Sequence, residues 1–174
     1  VVNMQKMFQS ATSFIGTSTL SSDVLSYWDT SSVNDMSYMF SYAASFTGQL
    51  QSWDTSNVSA TNEMFRSAHS FNGNIGLWDV SKVTNMYYMF QDARKFNGHL
   101  AIWDVSNVTN MEGMFYGATS YNDTMSIWDV SSVTNMKDMF RNATSFNFGL
   151  FLAPNVTASV TNMANMFRGA TTFN

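Results

Sequence analysis

Five aspartates stand at one repeat position: Asp29, Asp54, Asp79, Asp104 and Asp129, each 25 residues from the next. Carboxylates stacked at such a spacing repel one another, and hard cations such as Ca²⁺ take oxygen ligands of this kind. A calcium-binding column is one reading. The other is local. An aspartate whose side chain accepts the backbone N–H two residues on closes an Asx turn, and Ser31, Ser56, Ser81, Ser106 and Ser131 sit at that offset. The constant spacing to serine favours the turn, because a calcium loop gathers several acidic residues at once.

The tryptophan before each aspartate (Trp28, Trp53, Trp78, Trp103, Trp128) could stack a sugar or a base. Its neighbours at −3 and −1 are apolar, which favours packing on the tryptophan of the next repeat. Fourteen methionines could serve copper or an adaptable groove, but their spacing beside Phe and Ala marks them as core. His69 and His99 occupy different repeat positions. With no cysteine in the chain, nothing completes a metal or nucleophile site around them. A Gly-rich phosphate loop is also absent, so the expectation is a non-enzymatic protein without a cofactor.

The elements that position these columns follow from the repeat. Counting tryptophan as position 1, the pattern is W-D-[VT]-S-x-V-T-N-M-x-x-M-F-x-x-A-x-x-F-N-x-x-[LI]-x-x. A fixed period in this range signals a stacked array, because one unit cannot bury its own apolar face. Met111, Met114, Phe115 and Ala118 fall at i, i+3, i+4 and i+7, which predicts a short helix. Thr-Asn before it, as at Thr109-Asn110, would supply a capping oxygen. Leu100-Ala101-Ile102-Trp103 reads as a short parallel strand with Leu100 and Ile102 on one side. The asparagines after the second phenylalanine (Asn72, Asn97, Asn122, Asn147, Asn174) would satisfy backbone groups from coil to coil. The fold class is thus an α/β repeat solenoid with one short parallel strand and one short helix per 25 residues.

Residues 1–174 read as one array: a partial first unit over 1–27 with an insertion at 17–23, regular coils over 28–149, and a degenerate last unit over 150–174. Charged residues make up only 11%, well below the roughly 25% usual in soluble domains. The net charge of −4 offers no basic footprint for nucleic acid, and no apolar run approaches the roughly 18 residues of a membrane span.

The motif WDVSxVTNMxxMFxxAxxFN, present as five WD[VT]S copies with partial units at both ends, resembles the BspA-type leucine-rich repeat surface proteins, once described as a domain of unknown function. The resemblance covers nearly the whole chain. It implies a right-handed, leucine-rich-repeat-like coil and a place at the cell surface or outside the cell, as a surface protein or adhesin. It carries over no catalytic residue.

The functional expectation is an extracellular or cell-surface structural or adhesive protein that associates with other protein chains, including copies of itself, end to end. The breaks in the period supply the candidate assembly contacts Thr17, Ser18, Thr19, Leu20, Phe151 and Pro154. The alternative is a ligand- or carbohydrate-binding module, with calcium at the aspartate column. The candidate surface is Gln49, Gln51, Asn74, His99, Thr124 and Ser126, with Gly76 and Ala101 beside them. These residues vary between coils, which suits an irregular protein epitope better than a periodic polymer.

Overall fold

An α-helix closes each backbone N–H on its own carbonyl four residues back. In this chain, half of those groups go to the next coil instead. The computed structural model describes residues 1–16, 24–149 and 157–174. In the coil that starts at Trp78, the N–H groups of Met86, Tyr88, Phe90 and Asp92 donate to the carbonyls of Asn110, Glu112, Met114 and Tyr116 at 2.7–3.0 Å. The alternate N–H groups, of Met89, Gln91 and Ala93, fold back to Met86, Tyr88 and Phe90 at 3.1–3.2 Å. Every donor of the run is paired, half within the coil and half along the stack.

This arrangement requires left-handed backbone at positions 11 and 15. Tyr88 and Asp92 have φ of 51° and 53°, Gly113 and Gly117 of 58° and 67°, and the corresponding pairs from Lys6 and Ser10 to Asn165 and Gly169 behave alike. A left-handed residue every four places ends any right-handed helix. The expected helix is therefore a run of linked turns. Because those turns also recur every four residues, Met86, Met89, Phe90 and Ala93 all point inward and are fully buried. The apolar spacing correctly reports which residues face the core; the backbone that carries them is different.

The expected strand is corrected too. Leu100 to Trp103 is a turn, closed by Trp103 N–H on the Leu100 carbonyl at 3.1 Å. Leu100 is buried while Ile102 is 67% exposed, so the two point apart. Pairing between coils falls elsewhere, as isolated parallel bridges from Asn3 through Asp35, Ala60, Asn85, Asn110 and Asn135 to Asn162. Among the described residues the only helix is the four-residue 3₁₀ turn Val24–Tyr27. An α/β solenoid of leucine-rich-repeat type, with a strand and a helix in each repeat, does not form.

The stack is held by three aromatic columns. Phe65, Phe90 and Phe115 repeat at 5.6 and 5.5 Å between ring centroids. Phe71 and Phe96 stack at 5.7 Å, and Trp53 and Trp78 at 6.3 Å with planes 1° apart. Within a coil Phe90 meets Phe96 at 4.1 Å. Offset-stacked aromatic pairs of this kind contribute about 0.5–1.5 kcal/mol beyond their buried area. Trp53, Trp78, Trp103 and Trp128 are also tied by the indole N–H to the carbonyl 28 residues before, as Trp103 is to Ile75 at 3.1 Å.

Polar side chains form ladders of their own. The expected capping oxygen comes from asparagine, and it closes a turn in place of a helix end: Asn85 Oδ1 accepts the Tyr87 N–H at 3.0 Å. Thr109 and Thr134 hydroxyls donate to the Thr84 and Thr109 carbonyls, each at 3.1 Å. Asn72, Asn97 and Asn122 side chains accept the N–H of Asn97, Asn122 and Asn147 at 2.8–2.9 Å. Among the described residues no helix is long and apolar enough to cross a membrane. Thr17, Ser18, Thr19, Leu20, Phe151 and Pro154 lie outside the described residues.

Candidate functional site

The turn before each tryptophan pushes its two middle residues out of the stack. The carbonyl at position 23 accepts the tryptophan N–H of its own coil, at 3.1 Å in Leu50, Ile75, Leu100 and Met125. The same carbonyl accepts the indole N–H of the following coil, as Leu100 does from Trp128 at 3.0 Å. With position 23 turned inward and held by both bonds, positions 24 and 25 form the apex. Gly76 occupies one such apex because a Cβ there would run into the His99 carbonyl.

The apices carry large apolar side chains into solvent: Tyr27 at 80%, Leu77 at 77%, Ile102 at 67% and Ile127 at 70% exposure. Ser52 interrupts the row. An open groove of about 360 Å³ between two coils is lined by Asn74, Gly76, Leu77, His99, Ala101 and Ile102. The structure thus brings Asn74 and His99 together around one groove. Gln49 and Gln51 are exposed on the coil before it, and Thr124 and Ser126 are half-buried on the coil after it.

Several of these polar groups shape the apex locally. Asn74 Oδ1 accepts the Gly76 N–H at 3.2 Å, and Thr124 Oγ1 accepts the Ser126 N–H at 3.3 Å. His99 Nδ1 lies 3.4 Å from Asp123 Oδ1, and Asp123 Oδ2 accepts the Leu100 N–H at 2.7 Å. A carboxylate that bonds a buried N–H while facing an imidazole fixes the groove wall.

The aspartate column runs alongside. Trp78 points inward between Leu77 and Asp79, so the two flanking side chains share the outer surface. Each aspartate accepts the N–H of the serine two residues on at 2.9–3.1 Å. At Asp29 and Asp79 the serine hydroxyl also donates, at 2.6 and 2.7 Å. These hydroxyl bonds first, and the backbone bonds second, hold both carboxyls below the ordinary carboxylate range. Among the described residues no group of three or more His, Cys, Asp or Glu gathers as a metal site would need. Trp53, Trp78, Trp103 and Trp128 are only 2–4% exposed and cannot stack a ligand, whereas Trp28 is half-buried and lines an open pocket with Val1, Met4, Met7 and Asp29.

Sequence reasoning missed Leu77, Ile102 and Ile127 because an alternating strand would have turned them inward. The signal was present. Position 25 tolerates Tyr, Ser, Leu and Ile, whereas position 23 is Leu, Ile or Met throughout. Asp123 was also missed, since it stands once, where three of the other coils have Gly48, Gly73 and Gly98.

Neither a curated protein nor a solved structure is matched by the chain. A family match does cover it, over residues 1–103 and again over 96–174. With the repeat running through both matched segments, the chain belongs to the repeat family described as Mycoplasma protein of unknown function, DUF285.

Proposed function

We propose that this is a non-enzymatic, extracellular or cell-surface adhesive repeat protein whose stacked coils present the row of turn apices to other proteins. The observation that carries the reading is the exposed row of Leu77, Ile102 and Ile127 beside the groove at His99. Apolar surface set out along a rigid scaffold and bordered by polar groups is the usual make-up of a protein-contacting surface. The resemblance of the WDVSxVTNM motif to BspA-type surface proteins supports the location. The non-repeating polar residues Gln49, Asn74, His99 and Thr124 favour protein over a periodic glycan. The test is retention of cells displaying the chain on protein-coated surfaces, against cells displaying Leu77→Ser/Ile102→Ser/Ile127→Ser at equal density. Loss of retention is expected; equal retention refutes the reading.

Edge chemistry favours a second reading, end-to-end association into a filament. Asn3, Gln5, Met7 and Gln9 have carbonyls, and Met163, Asn165, Phe167 and Gly169 have N–H groups, that no other coil pairs. These are the positions whose equivalents pair between coils everywhere else. Edges of this kind take up a further coil, from another chain or from the same polypeptide. Negative-stain images and light scattering of the purified chain test it: filaments are expected, and a monodisperse monomer refutes it.

A further inference from the structure

The charge of the chain is distributed unevenly. The aspartate column and its single basic neighbour, Lys82, together carry −4, which is the formal net charge of the whole molecule; the remaining seven acids are matched by seven bases. Lys82 is itself engaged, donating to Asn57 Oδ1 at 2.8 Å. All five column aspartates are exposed. The net charge is therefore concentrated on one long side, as a rail of carboxylates beside the apolar row of Leu77, Ile102 and Ile127. On the opposite flank, beside Asn74, His99 and Thr124, the Asp123 carboxylate is largely buried and accepts the Leu100 N–H.

Both rows advance one coil at a time. The core phenylalanines of successive coils repeat at 5.5–5.6 Å and the tryptophans beneath the row at 6.3 Å, against the roughly 5.4 Å that an α-helix advances per turn. A helix laid along the stack axis would bring one side chain to each apex, at i, i+3 or i+4, and i+7.

We infer that the row of Leu77, Ile102 and Ile127, with its aspartate rail, is a docking groove for a cationic amphipathic helix lying parallel to the stack. The inference rests on the reading above that the apices contact protein, and it names the chemistry of the partner. The apolar stripe of the helix covers the apices. Lysines or arginines on one flank of the stripe face Asp79, Asp104 and Asp129. The carboxylates supply long-range attraction and orientation, and the desolvated apolar row holds the complex.

The probe is a fluorescent peptide of about 18 residues, built from Leu and Lys with leucines at helical spacing, long enough to span about 27 Å. Two controls keep its composition or pattern: one scrambles the leucines, the other replaces every Lys by Glu. Fluorescence anisotropy against the full chain should show saturable binding of the first peptide only. Ile102→Ser/Ile127→Ser should weaken it by at least about tenfold. Asp79→Asn/Asp104→Asn should weaken it at low salt and flatten its salt dependence. Unchanged unfolding midpoints would establish that these exposed substitutions leave the fold intact.

Equal binding by the scrambled peptide, binding by the Glu peptide, or indifference to both double variants overturns the inference. So does concentration-dependent self-association that Ile102→Ser abolishes, which assigns the row to a second copy. If cell retention is lost in the triple variant but no cationic helix binds, the partner chemistry fails while the adhesive reading stands.

Discussion

Position 15 of the repeat separates a turn ladder from a helix by the sign of two substitutions. Gly117 sits there with φ of 67° and Ser67 with φ of 54°. If the segment were a helix, Gly117→Ala would stabilise it by about 1 kcal/mol and Ser67→Gly would cost about 0.5 kcal/mol. In left-handed backbone the signs reverse. An L-residue there costs roughly 1–2 kcal/mol, offset by about 0.4–1 kcal/mol from the more restricted unfolded chain. Gly117→Ala should then destabilise by about 1 kcal/mol from backbone alone. It should cost more in practice, because the new Cβ would land on the Asp92 carboxylate. Ser67→Gly should stabilise by about 0.5–1 kcal/mol. Its N–H donation to the Gln91 carbonyl at 2.6 Å survives the change. Urea unfolding reads both as midpoint shifts at constant slope, and in a chain of this size about 1 kcal/mol moves Tm by about 2–4 °C. An alanine that stabilises and a glycine that destabilises would refute the ladder.

Three further outcomes are expected. Phe90→Ala should cost about 3–5 kcal/mol, since Phe90 is fully buried with rings on both sides. Phe8→Ala should cost much less, because Phe8 is half-buried with a stacked coil on one side only, and equal losses in denaturant would contradict a one-dimensional stack. Thr55→Val and Tyr121→Phe should each raise the unfolding midpoint, by about 1 kcal/mol. Thr55 Oγ1 and Tyr121 Oη are buried without a hydrogen-bond partner, and other coils place Val and Phe there; a loss in both would show that the hydroxyls matter. Finally, the lowered carboxyls of Asp29 and Asp79 contribute stability that is present above the unfolded value of about 3.9 and lost as pH falls through the lower folded value. Tm measured from pH 7 to 2 should drop in that window, less so in Ser31→Ala/Ser81→Ala, while chelator at pH 7 should leave Tm unchanged; a chelator-induced fall would make calcium part of the aspartate column.

Much of the core was legible without coordinates. The 25-residue period, the inward Met, Phe, Ala and Trp columns and the aspartate–serine turn all follow from side-chain type at fixed spacing, and the structure buries or bonds them accordingly. The asparagine ladder was legible as well, because an amide at one position in stacked coils meets the next backbone N–H. Periodicity constrains which side chains face inward. It does not constrain where the backbone hydrogen bonds go.

That second question was settled only by the tertiary structure. For a helix and for linked turns recurring every four residues, the apolar pattern is the same. The turns are selected because a flat coil can pair its N–H groups with the coil above, and a helix cannot do so. That choice puts Tyr88 and Asp92 in left-handed backbone. The same pairing decides the outer surface. Once the Leu100 carbonyl is held by two tryptophan N–H groups, the chain must turn, and Ile102 is carried from the expected core to the outside. The apolar row beside the aspartates exists only in three dimensions, since its residues meet only when coils 25 residues apart are stacked in register.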